Sequence, residues 1–231
     1  MKALLRLNYY MIGGHISALI IIAFPFLSML LPISRRGDAS FAIIMSIMLG
    51  FIIGSVLFGI EKAESVSRWR SYAKTLPYTR EQFVDAKYLF SLISAAAAAL
   101  LGAVMLPLLM LRNPEAVSAL TYAPSATEFS LMNAALAAAI TLYVVAIQHP
   151  AHFRCPGGYL LFTVGLSVFI LGSGIIFAKY MMALDRCKWA PLTPFMRCLP
   201  YLLFAVSAVC DLLSWLYTRK TYCRRKRRRA A

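Results

Sequence analysis

Charge is scarce in this sequence, and acidic charge is the scarcest. Charged residues make up 14% of its 231 residues, with only 9 Asp and Glu, whereas soluble domains carry about 25%. Hydrophobic residues reach 61% and the mean hydropathy is +0.71. A water-soluble fold cannot hide that much apolar surface, so we expect a lipid bilayer to be part of the solvent of this protein.

The sequence also lacks the motifs of common catalytic sites. It has no G-x-x-x-x-G-K-[ST] phosphate loop, so the chain is not itself an ATPase, and it has no H-E-x-x-H or G-x-S-x-G motif. His149 and His152 are three apart with Pro150 between them, which is not the i, i+4 helical spacing of a zincin-like site. We therefore predict no catalytic residue and no metal site in this chain.

The 5 cysteines form no C-x-x-C pair and are scattered through the second half of the sequence, several within or beside apolar segments. This pattern is not that of a disulfide framework or a zinc site. We expect reduced thiols.

Apolar residues occur in blocks of about 20, the length that crosses a hydrocarbon core of roughly 30 Å. The sequence therefore predicts an all-α membrane protein, with a single polytopic domain over residues 1–218 and a basic tail over residues 219–231. Windows of about 19 residues predict six transmembrane helices: His15 to Ile33, Phe41 to Ile60, Tyr88 to Leu111, Phe129 to Gln148, Tyr159 to Ala178 and Leu199 to Tyr217.

Basic residues indicate the orientation, since Lys and Arg stay preferentially on the cytoplasmic side. Of the 24 Lys and Arg, 17 lie in the alternating set that contains both termini and the loop 61–87, and 7 lie in the other set. Without the tail the difference shrinks to 9 against 7, so the tail decides most of it. We predict that both termini and the loop 61–87 are cytoplasmic, and that the Arg224 to Arg229 cluster binds anionic lipid rather than nucleic acid.

Two further features concern helix placement and packing. Residues 2–12 mix Leu and Tyr with Lys2 and Arg6 before a Gly13-Gly14 break, which fits an interfacial helix or an early start of the first span. Gly50 and Gly54, four residues apart, and the run 95–99 of alanines offer small surfaces for close helix packing. We interpret these surfaces as contacts within the chain.

The loop 61–87 is longer and more charged than a turn between two membrane helices requires. Thr79 and Gln82 form a capping box, which predicts a helix that starts at Arg80 and continues into the third span. Glu64 and Arg68 before Pro77 have the spacing of a short surface helix. The segment is interpreted either as a rigid protrusion that contacts a cytoplasmic partner or as a solvated loop with aromatic anchors in the headgroups.

Residues 69–88, with the sequence WRSYAKTLPYTREQFVDAKY, resemble the W-x-x-Y-x-x-x-L-P-x-[ST]-R-x-x-[IVF]-V-x-x-K-Y signature of small ABC-2-type exporter permeases. The resemblance covers about 20 contiguous residues, and the six predicted spans also suit that family. It implies a permease subunit in the bacterial cytoplasmic membrane, paired with a second copy or a paralogue. It also implies a separate ABC ATPase that binds ATP and Mg, while this chain holds no cofactor.

The resemblance further implies that the loop 61–87 docks the ATPase. The residues expected to take part are Trp69, Tyr72, Leu76, Pro77, Thr79, Arg80, Glu81, Phe83 and Lys87. The aromatic and apolar members fill a groove on the partner, and the charged members set the register at its rim.

Asp211 is the one clearly intramembrane acid, about 9 Å along the helix from Tyr217. An intramembrane charge is by default a functional hypothesis. We expect it to pair with a basic residue near the membrane surface or to reach water, and the alternative is contact with the substrate.

The function expected from these features is that of a permease subunit of an ABC-2-type ATP-driven exporter, which acts as a dimer. Two alternatives remain. A membrane scaffold or assembly factor would use the same loop to bind a cytoplasmic partner without moving a substrate, and a membrane enzyme would need catalytic pairs that the sequence lacks.

Overall fold

The computed structural model describes residues 43–56, 79–112, 125–154 and 193–224, which form four helices. They are α1 (Ile43–Val56), α2 (Arg80–Arg112), α3 (Ala126–Arg154) and α4 (Thr193–Arg224). These four stretches contain no strand, as the all-α prediction requires. The predicted first and fifth spans, the segment 2–12, the tail beyond Arg224, and the residues Trp69, Tyr72, Leu76 and Pro77 lie outside the described residues.

Three of the helices are long and apolar enough to cross a membrane. Their candidate spans are Arg80–Met105, Ala126–Ala151 and Arg197–Thr221. They correspond to the predicted third, fourth and sixth spans, while α1 lies within the predicted second span.

Contacts between the helices show their relative directions. Ser91 near the start of α2 contacts His149 near the end of α3, and Glu81 contacts Arg219 near the end of α4. Helix α2 therefore runs antiparallel to both α3 and α4. We call the end of the bundle where α2 begins and α3 and α4 end the basal end. The prediction places this end in the cytoplasm.

Helix α1 runs parallel to α3. Gly50 lies against Ala137 and Gly54 lies against Val144, so residue numbers increase in the same direction along the two helices. The four helices thus follow the alternation of direction that the predicted spans require. The total of six spans remains a prediction, since two of them lie outside the described residues.

The third helix is the centre of the described bundle. Of the apolar 18-residue stretch that could cross a membrane, 61% is buried inside the protein in α3, against 33% in α2 and 22% in α4. Alanines on α3, among them Ala137, Ala138 and Ala139, leave room for neighbouring backbones. Small residues let transmembrane helices approach closely and gain van der Waals contact.

Glycines on the neighbouring helices complete these close contacts. A Cβ atom at Gly50 would overlap the carbonyl oxygen of Ala137, and one at Gly54 would lie 2.9 Å from Cγ1 of Val144. The Thr141 hydroxyl also lies 3.0 Å from the Gly50 carbonyl and 2.9 Å from the Ala137 carbonyl, and its single proton is shared between these two acceptors. The prediction that Gly50 and Gly54 form a packing face within the chain is confirmed.

Two helices extend beyond the predicted spans at the basal end. The predicted fourth span ends at Gln148, but α3 continues through Pro150 to Arg154. The contacts of His149 and Phe153 with α2 hold this last turn in place. Helix α4 continues to Arg224, so the first residues assigned to the basic tail, Arg219 and Lys220, are helical.

Between Tyr201 and Thr218, helix α4 buries polar residues and exposes apolar ones. Ser207, Asp211, Ser214 and Thr218 are buried along one face. The exposed large hydrophobic side chains are Tyr201, Leu202, Leu203, Phe204, Val206, Val209, Leu212, Leu213, Leu216 and Tyr217. This arrangement suits a helix that has lipid on one side and other helices on the other, because lipid solvates apolar side chains and excludes polar ones.

Candidate functional site

The start of α2 has the capping geometry that the sequence predicts. The Thr79 backbone N–H donates to Gln82 Oε1 at 3.1 Å, and the Gln82 N–H donates to Thr79 Oγ1 at 3.2 Å. The Phe83 N–H donates to the Thr79 carbonyl at 3.1 Å and so closes the first helical turn. These reciprocal bonds satisfy backbone donors that would otherwise have no partner at the end of the helix. The predicted helix start at Arg80 is confirmed.

The predicted docking residues that the structure describes differ in accessibility. Thr79, Arg80 and Glu81 are exposed at the basal end. Phe83 is half-buried, with its ring edge-to-face against Phe153 of α3 at a centroid distance of 6.1 Å.

Lys87, another predicted docking residue, is only 4% exposed. Its Nζ lies 5.7 Å from the centroid of the Phe83 ring. Lys87 therefore has little surface to offer a partner, and the first turn of α2 offers the most.

A set of polar contacts joins the start of α2 to the end of α4, and we call it the α2–α4 polar contacts. It comprises Glu81, Asp85 and Tyr88 on α2 with Ser214, Trp215, Thr218 and Arg219 on α4. The three α2 residues have i, i+4, i+7 spacing and therefore lie along one stripe of the helix. The four α4 residues likewise occupy two successive turns of one face.

The outermost of these contacts are ionic. Arg219 Nη2 lies 3.0 Å from Glu81 Oε2 and 3.9 Å from Asp85 Oδ2, and the side chains are partly exposed. The Arg219 guanidinium also lies 5.4 Å from the centre of the Trp215 ring. Trp215 Nε1 donates a hydrogen bond to Asp85 Oδ1 at 2.8 Å. Asp85 thus accepts a hydrogen bond from Trp215 and attracts the guanidinium of Arg219.

The innermost of these contacts centre on the Tyr88 hydroxyl. It lies 2.7 Å from Ser214 Oγ and 3.0 Å from Thr218 Oγ1, and all three side chains are buried. A phenol hydroxyl has one proton to donate and can also accept, so both contacts can be hydrogen bonds at once. The Tyr88 ring packs edge-to-face on His149 of α3, with the ring centroids 4.7 Å apart. Tyr88 therefore contacts α3 and α4 together.

His149 is held by a second hydroxyl from α2. Ser91 Oγ lies 2.7 Å from His149 Nε2 and 3.0 Å from the backbone carbonyl of Lys87. Because the serine has a single proton, both contacts are satisfied only when Ser91 donates to the carbonyl and His149 Nε2–H donates to Ser91. This geometry assigns the tautomer with the proton on Nε2 to the neutral ring.

Asp211 lies one turn beyond Ser214, on the buried face of α4. It is 5% exposed, and its Oδ1 atom has no hydrogen-bond partner. The expected pairing with a basic residue is therefore absent at this oxygen. Asp211 does not belong to the α2–α4 polar contacts.

Sequence reasoning missed most of these contact residues. It named Tyr88 only as the start of the third span and the end of the motif 69–88, and it assigned no role to Ser91, Ser214, Trp215 or Thr218. One signal was present: polar residues recur at 207, 211, 214 and 218 within an apolar span, which is helical spacing. That spacing indicates a buried polar face, but it cannot show which helix the face meets.

Comparison with known families now bears on the fold and the site. A family model described as ABC-2 family transporter protein matches residues 3–222. The chain belongs to the ABC-2 transporter family. Searches of curated proteins and of solved structures find no match to it.

As an ABC-2 family member, the chain is a membrane protein concerned with transport. The family match covers almost the whole chain, including all of α1, α2 and α3 and nearly all of α4. It confirms the resemblance that residues 69–88 indicated from about 20 positions. In this ABC-2 protein, the capped start of α2 is the described part of that signature, and the α2–α4 polar contacts hold it against the end of α4.

Proposed function

We propose that this ABC-2 family chain is the transmembrane permease subunit of an ATP-driven exporter. A separate ABC ATPase docks on the segment 61–87 and on the first turn of α2. The ATPase binds ATP and Mg, and this chain contributes no ATPase site of its own. Two permease copies, or this chain and a paralogue, form the substrate path between them in the bacterial cytoplasmic membrane.

The observation that carries this proposal is the construction of the start of α2. Its first turn is capped by Thr79 and Gln82, exposes Arg80 and Glu81, and continues without a break into a membrane span. ATP hydrolysis takes place in water, so its work must reach the membrane through rigid contacts. A capped helix that enters the bilayer directly transmits a push better than a flexible loop does.

Contacts at the basal end strengthen this argument. Phe83 packs on Phe153 of α3, and Asp85 accepts from Trp215 of α4. A partner that binds the first turn of α2 therefore presses on an element that two other helices support.

Affinity purification of the tagged full chain in mild detergent tests the docking. We expect a P-loop ATPase to co-purify with the wild-type chain and to be lost from the Leu76→Ala and Arg80→Glu variants. Lys220→Glu is the matched control, because it makes the same charge change at an exposed position of the basal end, on α4. Phe83 is a poor probe here, since its replacement also removes the contact with Phe153.

The outcome separates the permease from a scaffold. If no ATPase co-purifies under conditions that keep the chain folded, the docking proposal is wrong. If an ATPase co-purifies, inside-out vesicles that contain both subunits are tested for ATP-dependent movement of a fluorescent phospholipid and a fluorescent cationic amphiphile. Movement of either probe that stops in Arg80→Glu supports a permease, whereas recruitment without movement of any probe favours the scaffold.

A further inference from the structure

The α2–α4 polar contacts extend the proposed function, on which this inference rests. The docking segment concerns the start of α2, and the family match, although it covers most of α4, assigns no role to the end of that helix. Yet the structure connects these two helix ends by contacts at three levels: Arg219 with Glu81, Trp215 with Asp85, and Tyr88 with Ser214 and Thr218.

The levels differ in burial, and burial determines how strongly each resists separation. The Arg219–Glu81 pair is partly exposed, so water screens it and can replace it. The Tyr88 hydroxyl and its two partners are buried. Pulling them apart in a membrane would leave the Tyr88 hydroxyl without a partner, because lipid cannot replace Ser214 and Thr218. The buried contacts of Tyr88 therefore resist separation of α2 from α4, and the partly exposed Arg219–Glu81 pair helps to align the two helix ends.

Sliding of α2 along α4 is opposed because it breaks specific contacts. A shift of one helical turn would separate Trp215 from Asp85 and Arg219 from Glu81. It would also take the Tyr88 hydroxyl away from one of its two partners, Ser214 or Thr218, which lie one turn apart on α4.

Elsewhere, α4 packs on α3, and more extensively than it packs on α2. Its outward face is apolar from Tyr201 to Tyr217, and exchanging one lipid contact for another breaks no hydrogen bond. A displacement at the basal end can thus carry α4 through lipid together with α3, provided that the start of α2 and the end of α4 stay together.

We propose that the α2–α4 polar contacts keep the start of α2 and the end of α4 together throughout the ATPase cycle, so that a push on the docking segment moves α4 as well as α2. Tyr88, Trp215 and Arg219 are positioning residues in this scheme. They act through the helices that they join and contact neither ATP nor substrate.

The test measures the distance between the two helix ends directly. Spin labels are placed at Leu89→Cys on α2 and Lys220→Cys on α4 in a full-length chain whose 5 native cysteines are replaced. Both positions are exposed, and neither belongs to the contacts or to the predicted docking residues. The distance distribution is recorded without nucleotide and with the co-purified ATPase trapped by ATP and vanadate.

In the otherwise unaltered chain we expect one narrow distribution that is the same in both states. In the Tyr88→Phe/Trp215→Phe double variant, which keeps an aromatic ring at both positions but removes the hydroxyl and replaces the indole by a smaller ring without an N–H, we expect a broader distribution. We also expect trapping to shift it by about 1–2 Å or more, the size of helix shifts in switching proteins. Ser130→Ala is the control, because it removes an interhelical hydrogen bond between α3 and α2, from Ser130 Oγ to the Ala103 carbonyl. It should match the unaltered chain.

Two results would overturn the inference: a shift on trapping in the unaltered chain, or a distribution in the double variant as narrow and as constant as in the unaltered chain. The comparison without nucleotide needs no ATPase. A failure of ATPase docking, seen as no ATPase on the purified chain, is therefore distinguished from a failure of the α2–α4 polar contacts.

Discussion

Replacing Tyr88 by phenylalanine removes one hydroxyl and leaves the aromatic ring in place. The hydroxyl lies 2.7 Å from Ser214 Oγ and 3.0 Å from Thr218 Oγ1. In soluble proteins, a buried group that loses its partner costs about 1–3 kcal/mol. Two features lower the cost here: serine and threonine on a helix can donate to the carbonyl four residues earlier, and interhelical hydrogen bonds in membranes average about 0.6 kcal/mol, with a maximum near 1.7 kcal/mol.

We therefore expect Tyr88→Phe to lower the free energy of unfolding by about 0.6–1.7 kcal/mol. Tyr88→Ala also removes the ring that packs on His149, and it leaves a cavity among three helices. Truncating a buried aromatic to alanine costs about 3–5 kcal/mol. The two variants should thus differ by about 1–4 kcal/mol, the ring being the larger contribution.

Reversible unfolding in mixed micelles or bicelles measures these changes. Tyr143→Phe is the matched control, since it deletes the same hydroxyl from a residue that is 37% exposed, and we expect no measurable effect. The reasoning would be refuted if Tyr88→Phe were as stable as the control. It would also be refuted if Tyr88→Phe cost as much as Tyr88→Ala, because the ring would then contribute nothing.

Three further predictions concern the close helix contacts, the buried acid and the helix cap. Gly50→Ala should lower the free energy of unfolding by about 1–3 kcal/mol, and by more than Gly54→Ala does. The added Cβ at position 50 meets the Ala137 backbone, whereas at position 54 it meets the Val144 side chain, which can shift. Thermal unfolding in detergent measures both variants, and equal costs would contradict the geometry. Asp211→Asn should leave abundance and thermal stability at or above the wild-type values, since it removes a buried charge that has no hydrogen-bond partner at Oδ1. If the variant is normally abundant but no longer moves the transport probes, the result favours a role of Asp211 in substrate contact. Thr79→Ala should lower the free energy of unfolding by about 1 kcal/mol and Thr79→Ser by far less, because serine keeps the capping oxygen. The same unfolding measurement tests both variants. If both reduced stability equally, loss of the helix cap would not be the cause.

The start of α2 shows how much local sequence can predict. The capping box needs only residues three apart, and the hydrogen bonds that it predicts are those that form. The glycine face of α1 was predictable for a similar reason, since two glycines four residues apart must lie on one side of a helix. Membrane character and family membership also depend on contiguous patterns: apolar blocks, and the motif over residues 69–88.

The end of α3 shows where such reasoning fails. Hydropathy predicts that the fourth span ends at Gln148, and Pro150 lacks the N–H that a helix interior needs. The helix continues nevertheless, since His149 binds Ser91 and Phe153 packs on Phe83 from another helix. Tertiary contacts outweighed a local preference.

The sequence by itself determined that this is a helical membrane protein of the ABC-2 family, where α2 begins, and which residues of α4 share a face. Only the tertiary structure decided that this face meets Tyr88, 126 positions away from Ser214 in the chain, and that Asp211 Oδ1 is left without a partner. The physical reason is that helical periodicity shows which residues point the same way, whereas the neighbour they meet depends on how the helices rotate, shift and pack.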